Sequence, residues 1–143
     1  MFKLTNKKVL ITGGCSGIGQ SIALIFLAQG AEVHVLDLKP SVEPMPSEIT
    51  FHQADITSLE AVEAIAADLK SIDILVNNAG IPQIGNLEKT SPADFKRIFD
   101  VNVKGAYHCM YAFIPAMMEQ KSGVILNMAS VAASVGIPDR FGY

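Results

Sequence analysis

A glycine-rich segment near the start of the chain has the residue types and spacing that bind a phosphate. Gly13, Gly17 and Gly19 follow an apolar run at residues 9–11, and a helical pattern begins near Ser16. Glycine permits positive φ and close backbone approach, while a helix start presents unpaired N–H groups and the positive end of its dipole. Gly13 would make the turn, Gly17 would leave room for a pyrophosphate, and Gly19 would let the helix pack closely on the sheet. The segment predicts dinucleotide binding, with a ligand-free glycine turn as the alternative.

An acidic residue at the end of the second predicted strand is also typical of a dinucleotide-binding site. Asp37 lies 18 residues after Gly19, where a carboxylate can accept hydrogen bonds from both hydroxyls of an adenosine ribose and would repel a 2′-phosphate. No Lys or Arg occurs at positions 14–18 or at Leu38, although Lys39 is close. The sequence therefore favours NAD over NADP, and a solvated aspartate at a strand end is the alternative.

The elements that position these residues alternate between apolar strand-like runs and helical stretches. This alternation predicts an α/β fold with a doubly wound parallel sheet, in a single dinucleotide-binding domain over residues 1–143 that is incomplete after the fifth strand. Prolines between residues 39 and 47 exclude a regular crossover helix there. The predicted strands are residues 8–12, 32–37, 49–53, 73–77 and 123–129, and the first two helices are residues 16–29 and 57–69, the second starting with a capping box at residues 57–60.

The longest predicted element is a single helix over residues 92–119. Between residues 98 and 118 its only full charges are Asp100 and Lys104. A helix that is apolar nearly all round needs cover on two sides. We expect the sheet on one side and a second copy of the chain, in a homo-oligomer, on the other.

Composition argues against several classes of protein. The 143 residues carry a formal net charge of −3 without a basic cluster, which argues against a nucleic-acid partner. There is no 18-residue apolar run and no signal pattern, so we expect a cytoplasmic protein without a membrane segment. Cys15 and Cys109 fit a reducing compartment and have no partner at metal-ligand spacing, so no metal site is predicted. The three histidines, His34, His52 and His108, are interpreted as structural or surface residues.

The order of the motifs resembles the short-chain dehydrogenase/reductase family. The family's first-strand motif, T-G-x-x-x-G-I-G, matches Thr12 to Gly19, and its N-N-A-G motif matches residues 77–80 at the end of the fourth strand. Ser130 and Tyr143 stand at the family's S-x12-Y spacing. The resemblance implies a Rossmann-like oxidoreductase that transfers a hydride between NAD and a small secondary alcohol or ketone.

The resemblance also assigns the site residues. It makes Tyr143 the acid or base at the substrate oxygen, with Ser130 hydrogen-bonded to that oxygen and Asn102 holding a water in the proton relay. Cys15 is interpreted as a small neutral turn residue and not as a reactive thiol. The pair at residues 55–56 is expected to contact the adenine. The expected cofactor contacts are Gly13, Cys15, Ser16, Gly17, Ile18, Gly19, Asp37, Leu38, Asp55, Ile56, Asn78, Ala79 and Gly80.

The chain departs from the family pattern at Tyr143, because the lysine expected four positions later lies past the last residue. In the family that lysine lowers the tyrosine pKa and binds the nicotinamide ribose. We therefore expect the sequence to be the N-terminal part of an enzyme and to be inactive by itself. A non-catalytic NAD-binding or interaction protein is one alternative. A nucleoside-cofactor methyltransferase is another, but it gives no reason for the spacing of Ser130 and Tyr143.

Overall fold

A five-stranded parallel sheet forms the centre of the molecule in the computed structural model, which describes residues 3–142. The chain moves outwards from the first strand to the second and third, then returns to the other side of the first strand with the fourth and fifth. The α/β doubly wound fold is confirmed. The strands are β1 (Lys8–Thr12), β2 (Glu32–Asp37), β3 (Ile49–Gln53), β4 (Ile74–Asn77) and β5 (Val124–Asn127), in the spatial order β3-β2-β1-β4-β5.

Helices cover both faces of this sheet. Helix α1 (Gly17–Ala28) packs on one face, and α2 (Leu59–Leu69) and α4 (Ala106–Glu119) pack on the other. Successive residues of a strand point to opposite faces, so β1 contributes to both cores along its whole length. No helix among the described residues has the length and apolar character needed to cross a membrane.

The link between β2 and β3 contains turns and bends but no helix, as its prolines predicted. The two strands nevertheless pair in parallel over their whole length. His34 Nδ1 and His52 Nε2 are 2.9 Å apart, and the Glu32 carboxylate lies 2.9 Å from His34 Nε2. These contacts connect β2 to the edge strand β3, which gives both histidines a structural role.

The helical run predicted over residues 92–119 is confirmed in its bounds, but it is not one regular α-helix. Helix α3 (Pro92–Phe99) and helix α4 are separated by a π-helical turn, Asp100–Gly105. A π-turn widens the helical repeat locally and changes which side chains face a neighbour. Asn102 lies within this turn and makes a tertiary contact that is described with the functional site.

The start of α2 also differs from its prediction. Ser58, not Thr57, is the N-cap residue, and its Oγ accepts a hydrogen bond from the Ala61 N–H at 3.3 Å. Thr57 Oγ1 instead donates to Asp55 Oδ1 at 2.7 Å. The helix therefore begins one residue later than the predicted capping box requires, and Thr57 belongs to the turn before it.

Candidate functional site

A cleft of about 480 Å³ opens at the carboxyl ends of the strands, where β1 and β4 separate. The strand order reverses between these two strands, and doubly wound sheets bind ligands at such a position. Of the expected cofactor contacts, those lining the cleft are Gly13, Ser16, Gly17, Ile18, Asp37, Leu38, Asp55, Ile56, Asn78, Ala79 and Gly80. Five lining residues were not predicted: Leu36, Ala54, Ile81, Pro82 and Val101.

The turn between β1 and α1 has the backbone geometry that its glycines predicted. Gly13 and Gly17 have φ angles of 64° and 52°, in the left-handed region that favours glycine. A Cβ at Gly17 would meet no atom of the described chain within 4 Å, so this position leaves open space beside the cleft. At Gly19 a Cβ would overlap the Gly13 carbonyl and lie 2.5 Å from Asn78 Nδ2. Gly19 therefore serves the close packing of α1 against the turn.

The first turn of α1 is left without a side-chain cap. Ser16 is the N-cap residue, but its hydroxyl makes no capping bond to the described chain, whereas Ser58 and Ser91 cap α2 and α3. The first N–H groups of an α-helix have no partner inside the helix. Because Ser16, Gly17 and Ile18 line the cleft, the start of α1 offers N–H donors and a positive dipole end to an anion.

Asp37 is fixed at the carboxyl end of β2 by the glycine turn. Its Oδ2 accepts a hydrogen bond from the Cys15 N–H at 3.1 Å. Cys15 itself is buried and lines a neighbouring recess with Asp37 and Lys39 rather than the cleft. Burial and the Asp37 carboxylate raise the pKa of the Cys15 thiol, so it stays protonated at neutral pH. This supports a small neutral turn residue over a reactive thiol.

Hydrogen bonds between the ends of β1 and β4 form the floor of the cleft. Thr12 is 1% exposed, and its Oγ1 accepts from the N–H groups of Asn78 at 3.1 Å and Ala79 at 3.0 Å. Asn78 Nδ2 donates to the carbonyls of Thr12 at 3.0 Å and Gly13 at 3.1 Å. Thr12 is the first residue of the glycine motif, but it was not predicted from the sequence as a site residue. The feature that could have identified it is a hydroxyl at the end of a buried strand.

The turn after β3, residues 54–58, forms one wall of the cleft, and we call it the Ile56 turn. Asp55 Oδ1 accepts from the Thr57 N–H at 2.8 Å, which fixes the shape of the turn. The Ile56 carbonyl accepts from His108 Nδ1 at 2.8 Å, across 52 positions of sequence. Helix α4 therefore supports this wall through His108.

Asn102 lies in the π-helical turn and contacts the loop after β4. Its Oδ1 accepts from the Ile81 N–H at 2.8 Å, and its Nδ2 donates to the Ile81 carbonyl at 3.0 Å. π-turns occur frequently at functional sites. Each amide atom has the capacity for a second hydrogen bond, so the predicted contact of Asn102 with a water stays a prediction.

The other two predicted catalytic residues lie later in the chain. Ser130 follows β5, and its Oγ accepts from the Ala132 N–H at 3.2 Å, capping the short helix Val131–Ala133. Ser130 follows the carboxyl end of β5, on the side of the sheet where the cleft opens, but it is not among the residues lining the cleft. Tyr143 lies outside the described residues.

The segment before Tyr143 is attached to the loop after β4. The Gly85 N–H donates to the Asp139 carbonyl at 2.8 Å, and the Phe141 N–H donates to the Gly85 carbonyl at 3.1 Å. Arg140 Nη1 donates to the Gln83 carbonyl at 3.0 Å.

Within residues 3–142, no three His, Cys, Asp or Glu side chains are grouped as a metal site.

Known proteins resemble this chain in both sequence and structure. The model of the short chain dehydrogenase family matches residues 7–143. Oxidoreductase UcpA of Salmonella typhimurium is 37% identical over 146 aligned positions, which cover 94% of this chain and 56% of that protein. An uncharacterized oxidoreductase of Thermotoga maritima is 40% identical, with 96% and 59% covered.

A solved structure also resembles this chain, in fold and in sequence. The ligand-free aldohexose dehydrogenase AldT of Thermoplasma acidophilum has a TM-score of 0.88 and 34% identity, over 98% of this chain and 55% of that one. The chain therefore spans just over half the length of the relatives that it matches.

We expect Thr12→Val to destabilise the protein, because valine keeps the shape of threonine but leaves the partly buried N–H groups of Asn78 and Ala79 without their acceptor. The expected loss in the free energy of unfolding is about 1–3 kcal/mol, measured by denaturant titration with circular dichroism. Thr57→Val is the matched control, because its hydroxyl bonds to Asp55 at an exposed position. Equal losses in the two variants would contradict the role assigned to Thr12.

Proposed function

The chain belongs to the short-chain dehydrogenase family, and on that premise we propose that it binds NAD for hydride transfer to or from a small secondary alcohol or ketone. Family membership argues against the methyltransferase alternative. The observation that carries the proposal is the open space at Gly17 in front of the uncapped start of α1. A pyrophosphate needs backbone N–H donors, a positive dipole end and room for its oxygens, and this position offers all three.

Asp37 supports NAD rather than NADP. Its carboxylate stands at the end of β2, lining both the cleft and the recess beside it. Since the Cys15 N–H bonds to Oδ2, Oδ1 is the oxygen that would accept from a ribose hydroxyl. The same negative charge opposes a 2′-phosphate. Among residues 3–142, Lys39 is the one basic residue lining the cleft or the recess, so it is the cation that would have to balance such a phosphate.

The reaction requires a proton transfer at the substrate oxygen, while bound NAD would supply the hydride chemistry. We assign the proton transfer to the phenol of Tyr143 and a hydrogen bond to the same oxygen to Ser130. The Ser130 oxygen accepts from Ala132, which leaves its own O–H able to donate to a substrate. Asn102 holds the Ile81 backbone in place beside the cleft, where the carbonyl can also accept from a relay water.

The whole protein would act as a homo-oligomer in the cytoplasm, with no nucleic-acid or membrane partner. Exposed apolar side chains on α4 support an oligomer. Tyr107 and Tyr111 are each 53% exposed and Met118 is 72% exposed, so an apolar face of this helix is left open. Large exposed apolar patches mark interaction surfaces.

We expect Asp37→Ala to weaken NADH binding about tenfold or more, because the ribose loses a charged hydrogen-bond acceptor. NADPH binding should tighten at the same time. NADH and NADPH fluorescence titrations of the 143-residue chain measure both dissociation constants. Lys39→Ala is the paired variant and should leave NADH affinity nearly unchanged. NADPH binding as tight as NADH binding in the unmutated chain would contradict the preference for NAD.

We expect the purified 143-residue chain to bind NADH without catalysing alcohol oxidation. The cation that the family places four residues after the tyrosine is not part of it, and an ordinary tyrosine has a pKa of about 10. Absorbance at the NADH band with a panel of secondary alcohols tests this. Turnover that disappears in Tyr143→Phe would contradict the expectation, since that control separates the chain's own activity from a contaminating dehydrogenase.

We expect sedimentation velocity to show self-association of the chain, shifted towards monomer by Tyr111→Glu because a charge opposes burial of the α4 face. Val42→Glu is the control, since Val42 is 99% exposed in the β2–β3 link. A monomer at every concentration measured, or an equal effect of the two variants, would argue against an interface on α4.

A further inference from the structure

We infer that His108 is a positioning residue for the adenine end of the cleft, acting on the Ile56 turn through a backbone carbonyl and not by contact with a ligand. The inference rests on the proposed function, together with the expectation from the sequence that residues 55–56 contact the adenine of the bound dinucleotide.

The contact between His108 and Ile56 is buried and direct. His108 is 8% exposed in the first turn of α4, and its Nδ1 lies 2.8 Å from the Ile56 carbonyl oxygen. A carbonyl oxygen only accepts, so Nδ1 carries the proton and donates. Ile56 is 7% exposed and lines the cleft. A small displacement of this residue would therefore change the cleft wall.

Hydrogen bonds inside the Ile56 turn fix its shape but not its position. Asp55 Oδ1 accepts from Thr57, and the Ser58 N–H donates to the Asp55 carbonyl at 3.0 Å. A backbone bond also joins the start of the turn to β2, because the Ala54 N–H donates to the Asp37 carbonyl at 3.1 Å. The bond from His108 differs in that it is made to the Ile56 carbonyl and comes from a helix 52 positions later in the chain.

The start of α4 also contacts the Ile56 side chain. A Cβ at Gly105 would lie 2.6 Å from Ile56 Cγ1, so the helix passes this side chain in van der Waals contact. Gly105 ends the π-helical turn, one turn of helix before His108. This helical segment therefore contacts Ile56 at two points, with Gly105 against its side chain and His108 on its carbonyl.

The same helical segment holds a second part of the cleft. Asn102 bonds to the Ile81 backbone, and Ile81 lines the cleft together with Ile56. Two walls thus depend on side chains only six positions apart. Loss of the His108 donor would release the Ile56 turn while the Asn102 contact with Ile81 stays in place.

Three substitutions separate positioning from general stability. His108→Leu keeps an apolar side chain without a donor. His108→Asn keeps an N–H donor at the same distance from Cβ as Nδ1. Met117→Ala is the stability control, because Met117 is buried on α4 but lies nine positions further along the helix. Fluorescence titration with NADH and calorimetric titration with AMP would be carried out on the 143-residue chain and each variant.

We expect His108→Leu to weaken AMP and NADH binding by the same factor, about fivefold, the equivalent of one hydrogen bond. His108→Asn should restore most of the affinity. Met117→Ala should lower the unfolding temperature without changing either dissociation constant. A folded His108→Leu variant that binds AMP and NADH as tightly as the unmutated chain would overturn the inference.

Hydrogen exchange distinguishes failure of this inference from failure of the proposed function. If the unmutated chain bound neither AMP nor NADH, the proposed function would fail. Amide exchange at residues 55–58 would still test His108, with faster exchange expected in His108→Leu than in His108→Asn. Equal exchange in the two variants would show that the imidazole does not hold the turn, whatever the ligand.

Discussion

The reciprocal hydrogen bonds between Thr12 and Asn78 are the constraint on which the rest of the site depends. They join the ends of β1 and β4 at the point where the strand order reverses. A Cβ at Gly13 would lie 2.9 Å from the Ala79 Cα, so the glycine turn passes directly over the end of β4. In the floor of the cleft the side chain of each strand end therefore holds the backbone of the other, and α1 begins directly after this fixed turn. A ligand anion would meet N–H groups whose positions are already fixed.

The walls of the cleft depend on an irregular helix. Six residues of π-helix between α3 and α4 replace part of the regular hydrogen-bond ladder, and Asn102 offsets this loss with two hydrogen bonds to the Ile81 backbone. One turn later His108 holds the carbonyl of Ile56. The helix that packs on the sheet core is thus also the element that sets the distance between the loop after β4 and the Ile56 turn.

Local patterns predicted the sheet and the glycine turn well. The predicted strands 8–12, 32–37 and 49–53 agree with β1, β2 and β3, because each apolar run is bounded by residues that end a strand. β5 is shorter than predicted, Val124–Asn127 instead of 123–129. The π-turn could not be predicted, since hydrophobic periodicity over six residues does not distinguish an α-turn from a π-turn. The partner that Asn102 contacts from this turn, Ile81, lies 21 positions away from it, and the partner of His108 lies 52 positions away.

The central claim is that a dinucleotide binds where β1 and β4 separate. The most direct measurement is a titration of the ¹⁵N-labelled 143-residue chain with NADH, followed by backbone amide chemical shifts. The cleft geometry predicts the largest shifts at Ser16, Gly17 and Ile18, where the helix start faces the pyrophosphate, with further shifts at Ala79 and Ile56. Saturating NADH that leaves these amides unchanged, or that shifts only residues on the exposed face of α4 around Tyr107 and Tyr111, would contradict the claim.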